Sequence, residues 1–324
     1  MTTQEILVPT DGSPTSVRAL GYAAVLAERT GARIHIVNVD EREPKLSEVI
    51  AIRESDILDD LHADLLPRHD EFEDDEELDL DDFPEQTIQR TIICRSAAEG
   101  IVTYANENDI DIIIMGTHGR SGFERAVMGS VAEEVVRTAS CPVLTACPRA
   151  GDIDPTHPIR PEVATILVPV DLSSATEEVI ERAARAAKIF NASVELFHII
   201  ERVSLPPAYG VGAPALDTEA IERRAHKFLE EQASALENSG ISVRVNVQSG
   251  HAATSILERV ESDRPGLVVI GTHGFRGIKR AILGSVAEQV IRHAESPVLT
   301  IRTDHEGGEE SRLRTTTSSV LSDE

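Results

Sequence analysis

Short apolar runs alternate with longer amphipathic stretches along most of the chain. The apolar runs predict strands near residues 5–10, 33–39, 87–93, 110–115 and 142–146. A second series falls near 165–170, 193–200, 241–247, 266–271 and 297–302. Ile112–Met115 and Leu267–Ile270 are continuously apolar, as strands covered on both faces are. The stretches between them read as helices with one apolar face. In each series the first helix is expected to stop at a residue that tolerates a left-handed cap, Gly31 in one and Asn191 in the other. Alternating β and α elements imply a mostly parallel sheet with right-handed crossovers.

The two series are copies of one unit. Ile6-Leu-Val-Pro-Thr-Asp11 recurs as Ile166-Leu-Val-Pro-Val-Asp171, an offset of 160. Gly116-Thr-His-Gly119 recurs as Gly271-Thr-His-Gly274, an offset of 155, and 19 of the 30 positions from 116 to 145 match those from 271 to 300. Copy one therefore carries five extra residues, expected between its second and third strands. Prolines at 148, 155, 158 and 161 mark a semi-rigid linker. The expected division is a first domain at 1–147, the linker at 148–163, a second domain at 164–303 and a polar, disordered tail at 304–324. Val143-Leu-Thr-Ala146 and Val298-Leu-Thr-Ile301 are expected as edge strands, which must be paired or covered.

Charge narrows the choice of partners. The 324 residues hold 31 Lys and Arg against 56 Asp and Glu, a net charge of −25. Such a surface repels nucleic acid unless a basic patch overrides it, and the sequence shows no such cluster. Lysine is limited to Lys45, Lys188, Lys227 and Lys279, and this acidic, lysine-poor composition suits a salt-rich cytosol and a halophilic source. Residues 70–82 hold ten acidic side chains in thirteen positions, read as a solvated loop. No apolar run is long enough to span a membrane, and the chain enters its first strand within five residues of Met1, so a cytoplasmic protein is expected. Cys94, Cys141 and Cys147 form no CxxC pair, and Cys141 and Cys147 read as small core residues.

In an open α/β sheet, ligands bind beyond the carboxyl ends of the strands, where the winding reverses. Two segments reach that place in each copy. One follows the first strand, Pro9-Thr-Asp11-Gly-Ser13 and Pro169-Val-Asp171-Leu-Ser173. The other follows the fourth strand, Gly116-Thr-His-Gly119 with Gly129-Ser130 after nine residues, matched by Gly271-Thr-His-Gly274 with Gly284-Ser285. Ser130 precedes Glu133 by three residues and Ser285 precedes Glu288 by three, so each reads as a capping box opening a helix. A helix start presents unpaired N–H groups and partial positive charge, and a glycine before it admits an anion to the backbone. Gly116 and Gly119 would turn further amides toward the same anion. Taken singly, these glycines could serve only as turns; together they point to phosphate. No Walker lysine and no GxGxxG after the first strand are present, against a P-loop enzyme or a dehydrogenase. Asp11 and Asp171 suit either ribose binding or capping of the first helix, and His118 and His273 suit loop packing or phosphate contact. His251 reads as a structural residue at the start of the third helix.

The repeated G-x-x-G-x9-G-S element and the V-P-x-D strand end resemble the universal stress protein family in its tandem form, over about 5–147 and 164–302. The resemblance implies two Rossmann-like domains, each a five-stranded parallel sheet of order 3-2-1-4-5 with helices on both faces. It implies binding of ATP or another adenine nucleotide; Mg²⁺ on the phosphates is a further expectation from charge, since it would offset that of the acidic chain and of the triphosphate. By the same resemblance Gly116, Gly119, Gly129, Ser130 and Val131 would hold ribose and phosphates, while Thr10, Asp11 and Val39 frame the adenosine. The counterparts in copy two would be Gly271, Gly274, Gly284, Ser285 and Val286, with Val170, Asp171 and Ile199. Arg120 would add a cation in copy one where copy two has Phe275 and must draw on Arg276 or Lys279, so tighter binding is expected in copy one. Many members have glycine before the third helix, where copy two has Gly250 and copy one Arg95. The resemblance further implies that the two fifth strands meet, within one chain or between two, and a nucleotide-controlled regulator of stress rather than an enzyme. A slow ATPase or phosphotransferase using His118 or Asp11, and an interaction module with vestigial sites, are the alternative expectations.

Overall fold

A computed structural model describes residues 3–42, 87–117, 128–146, 161–201, 218–272 and 283–303. The acidic run at 70–82, linker residues 148–160, Cys147 and the tail lie outside the described residues. Copy one contains β1 (Glu5–Pro9), α1 (Pro14–Thr30), β2 (Arg33–Glu41), β3 (Thr87–Cys94), α2 (Ala97–Glu107), β4 (Ile112–Gly116), α3 (Ser130–Thr138) and β5 (Val143–Ala146). Copy two contains β6 (Thr165–Val170), α4 (Thr176–Phe190), β7 (Ser193–Glu201), α5 (Thr218–Asn238), β8 (Val243–Gly250), α6 (Ala252–Asp263), β9 (Leu267–Gly271), α7 (Ser285–His293) and β10 (Val298–Ile301). The helix stops lie where the chain needs a left-handed residue. Gly31 has φ 75° and Asn191 φ 53°, and each closes its helix through a backbone N–H to a carbonyl four residues back.

The ten strands form one sheet, in the order β3-β2-β1-β4-β5-β10-β9-β6-β7-β8. Each copy supplies five consecutive strands of it. β5 and β10, each expected as an edge that must be paired or covered, pair with each other. They are the central pair, antiparallel in an otherwise parallel sheet, with Leu144 opposite Leu299 and every residue of both strands buried. The physical cause is their composition: four-residue apolar strands cannot face water, and each satisfies the other's ladder. The edges among the described strands are β3 and β8, both largely half-exposed.

Alternation along the strands divides the core into two layers, each crossing the seam between the copies. Ile6, Val8 and Ile34 share one layer with Ile166, Val168 and Val194. Leu7, Ile113 and Val135 share the other with Leu167, Val268 and Val290. Polar contacts follow the same seam. Arg29, at the end of α1, donates to the carbonyl of Ile189 in α4. Arg292 of α7 reaches Glu133 of α3 at 2.9 Å and Glu288 of its own helix at 3.2 Å.

The insertion is split. β2 and β3 lie 46 residues apart from 41 to 87, against 42 between β7 and β8 from 201 to 243. The fifth extra residue comes later, because three steps separate Cys94 from Ala97 and two separate Gly250 from Ala252. Sheet register sets Glu41 opposite Cys94 and Glu201 opposite Gly250. Gly250 thus corresponds to Cys94, and Arg95 is the inserted residue. A Cβ on Gly250 would stand 2.6 Å from Ser255 Oγ, whereas the facing residue in copy one is Gly100, whose own added Cβ would stand 3.1 Å from Cys94 Cβ. Each copy keeps one side chain in that gap.

Candidate functional site

The loop after β1 is built by hydrogen bonds among its own small polar residues. Asp11 Oδ1 accepts the Ser13 N–H at 3.0 Å, and Asp171 Oδ1 accepts the Ser173 N–H at 3.0 Å. Turn formation is thus a role both aspartates perform. Ser13 caps α1, accepting the Ser16 N–H. Ser16 Oγ donates to Ser13 O at 2.8 Å, so in its 3.0 Å contact with Thr10 Oγ1 the proton comes from Thr10. From β2, Asn38 Nδ2 donates to Thr10 O at 3.1 Å; its counterpart His198 places Nδ1 2.8 Å from Val170 O. The same carbonyl is tethered from the second strand in both copies.

The loops differ in how they enter the first helix. Gly12 has φ 75°, and at the matching position Leu172 has φ 60°. Left-handed backbone costs a non-glycine residue roughly 1–2 kcal/mol. The side chain of Leu172 offsets this by packing against the apolar core. After it α4 starts at Thr176, two residues later than α1 by the repeat offset.

After β4 the expected capping box is corrected. The N-cap residues are Gly129 and Gly284, with Ser130 and Ser285 already inside α3 and α7 and no side-chain cap bond. The backbone explains the shift. Gly129 N–H donates to Thr117 O at 2.6 Å while its carbonyl takes the Glu133 N–H at 3.0 Å; in copy two the same pair of bonds measures 2.8 Å and 2.8 Å. Glu133 and Glu288 are turned instead to Arg292. The amides that a helix start leaves over are then those of Ser130, Val131 and Ala132.

Gly116 has a packing role. A Cβ there would stand 2.6 Å from Thr15 Oγ1 and 2.8 Å from the Thr15 carbonyl carbon, so its absence lets α1 lie against the end of β4. A Cβ on Gly284 would meet Thr272 O at 3.1 Å, a milder conflict.

These elements enclose a cavity of about 370 Å³ at the carboxyl ends of β1, β2 and β4. Thr10, Asp11, Val39, Gly116, Gly129, Ser130 and Val131 all line it. Gly119, Arg120, His118 and, in copy two, Gly274, His273, Phe275, Arg276 and Lys279 lie outside the described residues. In copy two Val170, Ile199 and Gly271 lie at the carboxyl ends of β6, β7 and β9, neighbouring strands in the same order. A recess of about 400 Å³ in copy two is lined by Glu201, Ser249, Gly250 and His251, the last being the N-cap of α6. Val170, Asp171, Ile199, Gly271, Gly284, Ser285 and Val286 are not on that lining.

Sequence reasoning missed Ile101, Met115, Thr117 and, most consequentially, Glu41. It ended the second strand at 39, whereas β2 runs to Glu41. Continuing the alternation from Val37 and Val39 by one more step would have found it. Glu41 Oε1 accepts the Ala97 N–H at 2.7 Å, at the start of α2.

Away from the cavity, each copy has a polar cluster on β2 or β7, with different members. His35 Nδ1 lies 2.8 Å from Tyr104 Oη and Nε2 lies 2.9 Å from Glu5 Oε2. In copy two Glu195 takes the place of His35 and Arg259 that of Tyr104, paired at 2.6 Å. Burial raises the Tyr104 pKa. Cys141 is half-buried against the apolar layer, and desolvation pushes its thiol up to about 11.

A parallel sheet flanked by helices, with a recess at its carboxyl ends walled by a helix start, defines the class of doubly wound α/β ligand-binding domains. The universal stress protein family profile matches residues 2–146 and 162–302. The chain belongs to the universal stress protein family, with two such domains in tandem. It is 30% identical over 137 residues to a universal stress protein of Methanocaldococcus jannaschii, covering 42% of this chain and 81% of that one. It is 29% identical over 198 residues to one of Mycobacterium tuberculosis, covering 60% of this chain and 63% of the relative. Among solved structures, a functionally unknown protein of Pseudomonas aeruginosa superposes with TM-score 0.64 at 17% identity, covering 93% of both chains. A universal stress protein from Archaeoglobus fulgidus gives 0.60 at 18% identity, covering 93% of this chain and 99% of that one. These likenesses bear on the fold. No helix among the described residues is long and apolar enough to cross a membrane.

Proposed function

We propose that the cavity of copy one binds an adenine nucleotide, foremost ATP, and that the protein is a cytoplasmic regulator of the stress response controlled by that ligand. The observation that carries this reading is the convergence of seven residues chosen for nucleotide contact on one cavity. Its walls suit the two ends of such a ligand. Val37, Val39, Ile101 and Met115 offer an apolar slot for a base, and the start of α3 offers amides and dipole for phosphate. Asp11 lies on the lining between them, within reach of a ribose placed in that order. A Mg²⁺ ion carried by the phosphates would offset charge on a strongly acidic chain.

We read the site as one of control rather than turnover. Phosphoryl transfer needs a group that orients the attacking water and cations that neutralise the terminal phosphate. The remodelled entry to α4, where Leu172 stands in place of Gly12, supports tighter binding in copy one.

Ser130→Asp tests the site. Ser130 is exposed in the first turn of α3, where a carboxylate suits the helix dipole but opposes a bound phosphate. Calorimetric titration with Mg-ATP should show binding to the wild type and at least tenfold weaker binding to the variant, with its melting temperature unchanged or raised. Equal affinities would exclude phosphate from the start of α3.

A further inference from the structure

Glu41 stands in an unusual position for a site meant to hold a polyanion. Alternation along β2 sets Val37, Val39 and Glu41 on one face, and all three line the cavity, so an apolar stripe ends in a carboxylate. Glu41 Oε1 is held by the Ala97 N–H at 2.7 Å, which fixes the head group at the mouth. The start of α3 is on the far side, because β1 lies between β2 and β4. At about 4.8 Å per strand, the ends of β2 and β4 stand roughly 10 Å apart.

On the nucleotide reading given above, we infer that Glu41 is the residue that selects the base, favouring a purine with an amino group rather than an oxo group at its 6-position. The chemistry follows from the inventory of an ionised carboxylate, which only accepts. Oε1 takes the Ala97 N–H, and the remaining lone pairs can accept an amino group of the base. Adenine offers its 6-amino group to such an acceptor. Hypoxanthine, with an oxo group at that position, sets oxygen against oxygen. Guanine carries the same oxo group at that position and, in this orientation, meets the same conflict. The charge also sets polarity: a phosphate tail is repelled from the β2 end and attracted to α3, so the ligand enters base toward Glu41. Strand β7 likewise ends in a glutamate, Glu201, at the position matching Glu41.

The test compares ATP, ITP and GTP on the full-length chain by calorimetric titration, in the wild type and in Glu41→Gln. Glutamine keeps a carbonyl oxygen for the Ala97 N–H, so α2 retains its acceptor, and a melting curve verifies the fold. A hydrogen bond to a charged group discriminates by about tenfold or more when its partner is replaced. The wild type should therefore prefer ATP to ITP by about that factor, with GTP also weaker than ATP. In Glu41→Gln, whose amide can donate to an oxo group, the ATP to ITP ratio should fall to about threefold or less. A variant that keeps the wild-type ratio overturns the inference while leaving nucleotide binding standing. A wild type that binds none of the three overturns the nucleotide reading itself.

Discussion

Thr145 and Thr300 occupy equivalent places in the two repeats and hydrogen-bond across the seam in reciprocal fashion. Thr145 Oγ1 donates to Val298 O at 3.2 Å and Thr300 Oγ1 donates to Val143 O at 3.0 Å. Both side chains are 1% exposed, so neither hydroxyl has water as an alternative partner. The pair marks the local two-fold between β5 and β10, where repeat identity becomes physical symmetry.

Thr145→Val and Thr300→Val each keep side-chain shape and remove one hydroxyl. Each should cost about 1 kcal/mol, because the carbonyls lose a supplementary donor. The two sites lie in one short ladder, so the double variant should depart from simple addition by about 0.5 kcal/mol or more. Urea unfolding of the four chains measures this directly. The transition should remain single throughout, since both core layers continue across the seam. Two separate transitions would mean that the copies fold as independent units.

Glu5 gives the fold an acid-sensitive contact. Burial acts to raise its pKa, but hydrogen bonds from Arg33 and His35, with the Arg33 charge, outweigh it and hold the carboxyl below the ordinary 4.5. The unfolded chain therefore binds the proton more tightly. The resulting stability is complete above about pH 4.5 and is lost as pH falls through the lowered folded value. Wild type should exceed Glu5→Gln in stability at pH 6, and the difference should shrink steadily toward pH 3. Denaturant melts across that range, with a difference constant in pH as the contrary outcome, provide the check.

The regular elements were legible because each rested on a local rule. Gly31 and Asn191 are residue types that accept positive φ, and Ile112–Met115 could only be a strand covered on both faces. The copy-one lining was legible for a different reason: β1, β2 and β4 all end at one rim, so residues chosen from three strand ends had to meet. What escaped depended on neighbours distant in sequence. The cap moved from Ser130 to Gly129 because Thr117 O takes the Gly129 amide, a bond that no spacing rule contains. The exchange of His35 and Tyr104 for Glu195 and Arg259 shows only when two elements are superposed. Arg95 aligned with Gly250 on offset alone, and sheet register was needed to show that it is an insertion.

Net charge predicts a salt response. With a charge of −25 the folded chain repels itself, and screening relieves that repulsion. The Debye length falls from about 10 Å at 0.1 M to about 3 Å at 1 M. Surface ion pairs such as Arg223–Glu219, 66% and 86% exposed, lose little on screening because exposed pairs contribute little. The melting temperature should therefore rise between 0.05 and 1 M KCl by several degrees. A flat or falling curve would show that attractive contacts outweigh the net repulsion.

Gly116 separates two explanations of a motif glycine. As an anion-nest residue it would matter only to the ligand, and an alanine would weaken nucleotide binding while leaving the empty protein as stable as before. The packing against Thr15 argues otherwise. A methyl group 2.6–2.8 Å from three atoms of that residue must push α1 away from β4. Overpacking of this kind costs about 1–3 kcal/mol. Removing the Thr15 side chain should recover only part of the loss, because its backbone carbonyl carbon remains 2.8 Å away. Gly116→Ala should thus lower the melting temperature without any nucleotide present, by roughly 2–4 °C for each kcal/mol in a domain of this size. Thr15→Gly combined with it should restore a minority of the difference. An alanine variant that melts with the wild type would return Gly116 to the ligand alone.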